Sequence, residues 1–141
     1  MAYVTPMENA RMWLDTADAA LKKRIYSTAL YSMEMSVEIA LKAVLLEFGV
    51  DVPKVHNIMN SLRQILREKR ALLPKEFVEK EGIILDTFNG LLELRPLAGY
   101  AFETHAGVAD SEGVAGKYMK DSTEVVNLCG AAVKHIGKKK G

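Results

Sequence analysis

The feature that most constrains this chain is residues 26–48, where apolar side chains recur every three or four positions without a break. This spacing predicts one long helix with an apolar stripe, because residues three and four apart share a helical face. Met35, Ile39 and Leu46 add a second apolar face, so we expect this helix to be the most buried element. Gly49 follows directly and predicts a left-handed cap. The stripe consists of Leu30, Met33, Val37, Leu41, Val44, Leu45 and Phe48.

Helical periodicity also predicts the elements on either side of this helix. A first helix begins at Thr5, where Thr5 and Glu8 form a capping box and Pro6 takes the first helical position. A fourth helix starts at Pro74 and ends or kinks at Pro96, because proline cannot donate a backbone hydrogen bond. The first, third and last helices are predicted over about residues 5–25, 57–72 and 114–136.

Together these segments predict an all-α fold, an up-and-down antiparallel bundle of four to five helices, because the links between neighbouring helices are short. No segment shows the strict alternation that is typical of a β-strand. Residues 99–116 contain several glycines and no period, so they predict a long loop. Gly137 is expected to stop the last helix, which leaves residues 1–137 as one bundle domain and 138–141 as a basic tail.

Composition excludes several classes of protein. Hydrophobic residues make up 49% of the 141 residues, so the chain can build a core and is not disordered. The net charge of +1 provides no field that would recruit nucleic acid or an anionic membrane. A single cysteine, Cys129, excludes an internal disulfide, and the histidines match no zinc-ligand spacing, so we predict no metal and no cofactor. Neither a signal peptide nor a membrane-length apolar run is visible, and we expect a cytoplasmic protein.

Three charged residues interrupt the apolar surface of the second helix. Glu34, Glu38 and Lys42 follow one another at one-turn spacing, which places them in a polar line. A metal-bridging pair of carboxylates is not predicted, because the Glu-x-x-His partner motif is missing. For Glu34 we expect a solvated salt-bridge face. Apolar residues flank Glu38 and Lys42 on both sides, so these two are expected to lie in a groove or an interface.

Three segments of the chain match the pattern of one known helical family. Residues 35–46, Met-Ser-Val-Glu-Ile-Ala-Leu-Lys-Ala-Val-Leu-Leu, are similar to its motif Gln-Ala-x-Glu-Lys-Ala-Leu-Lys-Ala, with Met35 in place of the glutamine. Residues 53–58, Pro-Lys-Val-His-Asn-Ile, are similar to its Pro-x-x-His-Asp-Leu. Residues 94–96, Leu-Arg-Pro, are similar to its Arg-Tyr-Pro without the tyrosine. The chain therefore resembles the HEPN domain (higher eukaryotes and prokaryotes nucleotide-binding).

The resemblance implies a small helical bundle that commonly dimerises and binds nucleotides or RNA. Many members act with a minimal nucleotidyltransferase, some as toxin–antitoxin pairs, which implies a homodimer and a nucleotidyltransferase partner here. Four matching residues become nucleotide-binding candidates. Lys42 and Arg95 would pair with phosphate, and His56 would donate to an anion at the start of the third helix. Glu38 would orient Lys42 or accept a hydrogen bond from a base or a ribose hydroxyl.

Two of these candidates also have a purely structural interpretation. His56 equally suits a capping or packing residue that anchors the connection over residues 49–57. Arg95 equally suits a surface residue that satisfies carbonyl groups at the end of its helix. The sequence alone leaves both interpretations open.

Catalysis is where the chain departs from the ribonucleases of this family. Those members carry an arginine, four to six residues and a histidine, whereas nine residues separate Arg95 from His105 here. The standard ribonuclease motif is therefore absent. The leading hypothesis is a non-catalytic module that binds a nucleotide or docks a nucleotidyltransferase. The alternatives are a metal-independent ribonuclease toxin, in which the long loop brings His105 to Arg95, and a structural dimerisation module.

Overall fold

The computed structural model describes residues 4–52, 54–104 and 112–140 and confirms the all-helical bundle. Within these ranges the chain forms six α-helices and one short 3-10 helix, and no strand. None of the described helices is long and apolar enough to cross a membrane. The α-helices are α1 (Pro6–Lys22), α2 (Tyr26–Glu47), α3 (Met59–Glu68), α4 (Lys75–Glu79), α5 (Glu81–Thr104) and α6 (Glu112–Lys140).

Helix α1 begins with the predicted capping box. The Glu8 amide donates to the Thr5 hydroxyl and the Thr5 amide donates to the Glu8 carboxylate, each at 3.1 Å. The face of α1 that meets the rest of the bundle is buried through small side chains, including Ala10 and Ala17. Such side chains allow the axis of α1 to approach α2 closely. At Arg24 the backbone has a positive φ of 60°, and there the chain turns into α2.

Helix α2 is the centre of the bundle, as its two apolar faces predict. It packs against α1, α5 and α6, and α3 also touches it. Gly49 has a φ of 74°, which confirms the predicted left-handed residue at the end of this helix. The core around α2 is built from apolar side chains of all six α-helices. Its largest fully buried side chains include Phe77, Phe88, Met33, Leu41, Leu45, Ile58 and Leu62.

The predicted third and fourth helices are each divided. Helix α3 ends at Glu68, and a 3-10 turn over Arg70–Leu72 brings Leu73 into the core. The predicted fourth helix is interrupted at Lys80, two residues before Gly82, which has a low helix propensity. The resulting α4 is only one turn long and is anchored by the buried Phe77. The count of six helices, rather than four to five, follows from this interruption.

The predicted loop over residues 99–116 is wrong at both ends. Helix α5 continues through Pro96 to Thr104, and α6 begins at Glu112, so Gly99 and Gly116 are helical. Proline removes one backbone hydrogen bond from α5, but leucine and alanine at residues 97 and 98 restore helix propensity behind it. Residues 105–111 lie outside the described part of the chain.

The end of the last helix also differs from the prediction. Helix α6 passes through Gly137 and ends at Lys140, so residues 138–140 belong to it. A glycine inside a helix costs about 1 kcal/mol relative to alanine. Three lysines after it offset this cost, because positive charge is favoured at a helix C-terminus. Gly137 therefore does not stop the helix.

Candidate functional site

The polar line of α2 is more deeply buried than a solvated face. Glu34 has no exposed surface, and only 4% of the Glu38 side chain is exposed. The expectation that Glu34 lies on a solvated salt-bridge face is therefore wrong. Neighbouring helices enclose α2 on several sides, so even the polar side of this helix faces the protein interior. Glu38 was expected in a groove or an interface, and the structure buries it.

Glu38 holds two cationic or protonatable side chains, one on each carboxylate oxygen. Its Oε2 accepts a hydrogen bond from the Lys42 ammonium at 3.0 Å, one turn further along α2. Its Oε1 lies 2.9 Å from Nδ1 of His56. The Lys42 side chain is 21% exposed and that of His56 is 54% exposed. The Glu38 carboxylate is thus shielded from solvent, whereas the Lys42 and His56 side chains are partly exposed to it.

Burial and hydrogen bonding shift the pKa of Glu38 in opposite directions. Burial alone would raise this pKa, because it disfavours the charged carboxylate. Hydrogen bonds from Glu34, Lys42 and His56, and the charge of Lys42, act in the opposite direction and outweigh it. The pKa of Glu38 is therefore held below its usual range. Glu38 stays ionised at neutral pH and remains a strong acceptor for both partners.

His56 is positioned by the connection between α2 and α3. The next residue, Asn57, accepts a hydrogen bond from the Met59 amide at 3.1 Å, and Ile58 is buried in the core. These contacts fix the segment that carries the imidazole. The contact of His56 with Glu38 agrees with the anchoring interpretation, because it ties the connection to α2. The exposed half of the ring still faces solvent, where an anion can reach it.

A groove of about 460 Å³ opens beside Lys42, between the start of α1 and the middle of α2. We refer to this cavity as the Lys42 groove. Thr5 and Asn9 provide polar groups from α1, and Ile39 and Leu46 form an apolar wall on α2. The sequence did not reveal this groove, because the pairing of α1 with α2 is not encoded in any local motif. The signal available was the row of alanines on α1, which predicts a close approach between the two helices.

The remaining sequence candidates are not brought to this site by any described contact. Arg95 lies within α5, but its side chain is outside the described part of the structure. His105 is among the residues that the structure does not describe. The predicted meeting of these two residues therefore stays a prediction. Cys129, by contrast, is fully buried in the core, where burial raises the pKa of its thiol.

The same cluster contains one set of side chains that could hold a cation. One donor atom from each of Glu34, Glu38 and His56 lies within 4.8 Å of the others. The sequence predicted no metal, because the histidines and the cysteine match no zinc-ligand spacing and the Glu-x-x-His motif is missing. The fold brings these three residues together by turning the chain back between α2 and α3.

Comparison with known proteins gives one positive result. The family profile described as HEPN domain matches residues 4–133, nearly the whole chain. The matched range includes α1 to α5, the candidates Glu38, Lys42 and His56, and most of α6. No curated protein and no solved structure matches the chain significantly.

Proposed function

The chain belongs to the HEPN domain family, and on this premise we propose that it binds the phosphate groups of a nucleotide in the Lys42 groove without cleaving its ligand. The observation that carries the proposal is an ammonium group that a buried carboxylate holds at the wall of a nucleotide-sized cavity. Ligand pockets commonly have volumes of about 300–1,000 Å³, which includes this groove.

The ion pair with Glu38 holds the Lys42 ammonium in a position where it can bind an anion. A lysine ammonium has three donors, and Glu38 takes one of them. The bond to Glu38 restricts the rotation of a long side chain that would otherwise lose much entropy on binding. The two other donors are available to phosphate oxygens at the groove. Glu38 is thus a positioning residue, and Lys42 is the residue that contacts the ligand.

The groove also offers groups for the rest of a nucleotide. The Asn9 amide and the Thr5 hydroxyl can hydrogen-bond a ribose or a base edge. Ile39 and Leu46 provide an apolar wall against which a base can pack. We include His56 and Arg95 as further phosphate contacts, because both are cationic or protonatable and both match the family motifs.

We further propose that the protein forms a homodimer and acts with a minimal nucleotidyltransferase, as a toxin–antitoxin-type pair in the cytoplasm. The exposed apolar side chains of Val4 and Leu46 at the groove, and of Val55 on the connection after α2, support a protein contact at this face. Sedimentation equilibrium tests the dimer. Twice the mass of the chain is expected, and the mass of one chain at micromolar concentration contradicts it.

Calorimetric titration with ATP, GTP and a short RNA tests the binding proposal. We expect saturable nucleotide binding that Lys42→Ala weakens at least about tenfold, which corresponds to about 1.4 kcal/mol. Lys22→Ala is the matched control, because Lys22 forms the same one-turn ion pair with Asp18 on the surface of α1, at 2.8 Å. Equal weakening by both variants contradicts the proposal. Cleavage of the RNA without added metal, lost in His105→Ala, contradicts the absence of catalysis.

A further inference from the structure

Glu34 and Glu38 form a buried pair of neighbouring carboxyl groups. Glu34 is fully buried and Glu38 is almost so, and one carboxylate oxygen of each lies within 4.8 Å of the other. Two carboxylates repel each other strongly at this distance unless a proton or a cation lies between them. Lys42 is hydrogen-bonded to Oε2 of Glu38 at 3.0 Å and offsets one of the two negative charges. A proton or a cation held by both carboxyl groups would offset the other.

An imidazole nitrogen completes this pair into a three-donor set. Nδ1 of His56 is 2.9 Å from Oε1 of Glu38, and the donor atoms of all three residues lie within 4.8 Å of one another. Around Zn²⁺, bonds of about 2.0–2.2 Å place neighbouring donor atoms roughly 3.3 Å apart. The three donor atoms must therefore move closer together than the 4.8 Å within which they now lie. A set of one nitrogen and two oxygens suits Zn²⁺ and similar ions better than Mg²⁺ or Ca²⁺.

We propose that Glu34, Glu38 and His56 bind one divalent transition-metal ion of the Zn²⁺ class. The exposed imidazole provides the entry path, and a fourth coordination position remains on its solvent side. Lys42 stays on Oε2 of Glu38 and fixes the orientation of this ligand, a role that outer partners commonly take around metal sites. The three ligands do not line the Lys42 groove, although the proposed function also uses Glu38 and His56.

The charges of the cluster suit a divalent ion. The bound site would hold two carboxylates, one ammonium and one divalent cation, with a net charge of +1. Carboxylates and an unprotonated imidazole nitrogen are the forms that bind a metal, so any proton on these ligand atoms is released when the ion binds.

Titration of the full chain with Zn²⁺ tests this proposal. The protein is first treated with a chelator, and binding is followed by calorimetry, with the visible absorption of Co²⁺ as a second readout of coordination. We expect one ion per chain, and Glu34→Gln and His56→Gln to weaken binding at least about tenfold. His135→Gln on α6 is the matched control and should bind like the wild type. Absence of binding below millimolar Zn²⁺, or equal binding by all three variants, overturns the proposal.

The variants separate this proposal from nucleotide binding. Glu34→Gln keeps the shape of a protonated carboxyl group and is not placed in the Lys42 groove, so we expect its affinity for ATP to stay within twofold of the wild type. If Glu34→Gln does not fold, His56→Gln still tests Zn²⁺ binding, because it changes an exposed side chain on a connection. In Glu34→Gln, loss of Zn²⁺ binding with ATP binding retained supports the metal site alone. Retained Zn²⁺ binding in His56→Gln contradicts it.

Discussion

At the scale of single residues, Glu38 determines the electrostatics of the site. One buried carboxylate accepts hydrogen bonds from a lysine on its own helix and contacts a histidine from the following connection. Hydrogen bonds to a charged group contribute about 1.5–3 kcal/mol each when buried partners are involved. We therefore expect Glu38→Gln to lower the free energy of unfolding by about 2 kcal/mol at pH 7, measured by urea denaturation. Glu93→Gln, an exposed glutamate on α5, is the control and should change it little.

The same variant has a defined pH dependence. Because the folded protein holds the pKa of Glu38 below its ordinary value, the unfolded chain binds more protons as the solution becomes acidic. The stability that Glu38 contributes is present above the unfolded pKa of about 4.3 and is lost as the pH falls through the folded pKa. The difference between wild type and Glu38→Gln should therefore shrink as the pH is lowered from neutral to below about 4.3. A difference that stays constant over this range contradicts the assignment.

The sequence predicts part of this residue-scale chemistry. Glu38 and Lys42 were expected in a groove or an interface, because apolar residues flank both on the helical wheel. Glu34 was expected in solvent, but it is fully buried. Local spacing gives the side of a helix on which a residue lies, yet it does not say how many neighbouring helices cover that side. Glu34 is buried by helices that lie far from it in the sequence, so its burial cannot be read from local spacing.

At the scale of helices, the approach of α5 to α6 depends on one residue without a side chain. A Cβ atom added at Gly90 would overlap the Tyr118 hydroxyl and lie 2.9 Å from its ring. The stiff ring of Tyr118 must then move, so we expect Gly90→Ala to destabilise the protein despite a gain in helix propensity of about 1 kcal/mol. Gly116→Ala on α6 meets nothing within 4 Å and should instead stabilise it. Thermal unfolding measures both.

A double variant tests the cause at Gly90. Tyr118→Phe removes the hydroxyl that lies nearest the added methyl group, so Gly90→Ala in this background should cost less than in the wild type. An equal cost in both backgrounds contradicts the proposed clash. Gly90 and Tyr118 lie on different helices, and neither belongs to a local motif. The spacing of apolar residues predicts where helices form, but it does not predict which residues of two helices touch.

The ends of helices were predicted correctly where local backbone chemistry determines them, and incorrectly where other residues decide. The capping box at Thr5 and the glycine at residue 49 confirm predictions that rest on local backbone chemistry. Gly137 was expected to end α6, but the helix passes through it. A glycine allows a helix to end without requiring it, and the neighbouring residues decide between the two outcomes.

At the scale of the whole molecule, the core behaves as one unit around α2. Cys129 lies in this core with no exposed surface, and burial raises the pKa of its thiol, so the reactive thiolate is scarce in the folded state. We expect a thiol reagent to label Cys129 only when the bundle opens globally. The labelling rate should follow the free energy of unfolding as urea is added. Labelling that is fast and independent of urea contradicts a single cooperative core.

The central claim is that a nucleotide binds in the Lys42 groove. The most direct measurement is a titration of isotopically labelled protein with ATP, followed by two-dimensional NMR of the backbone amides and the Asn9 side-chain amide. We predict that the changes in chemical shift cluster on the groove, at Thr5, Asn9, Ile39, Lys42 and Leu46. Changes that cluster on the arginines of α3 or on the lysines at the end of α6, with the groove unchanged, would contradict the account.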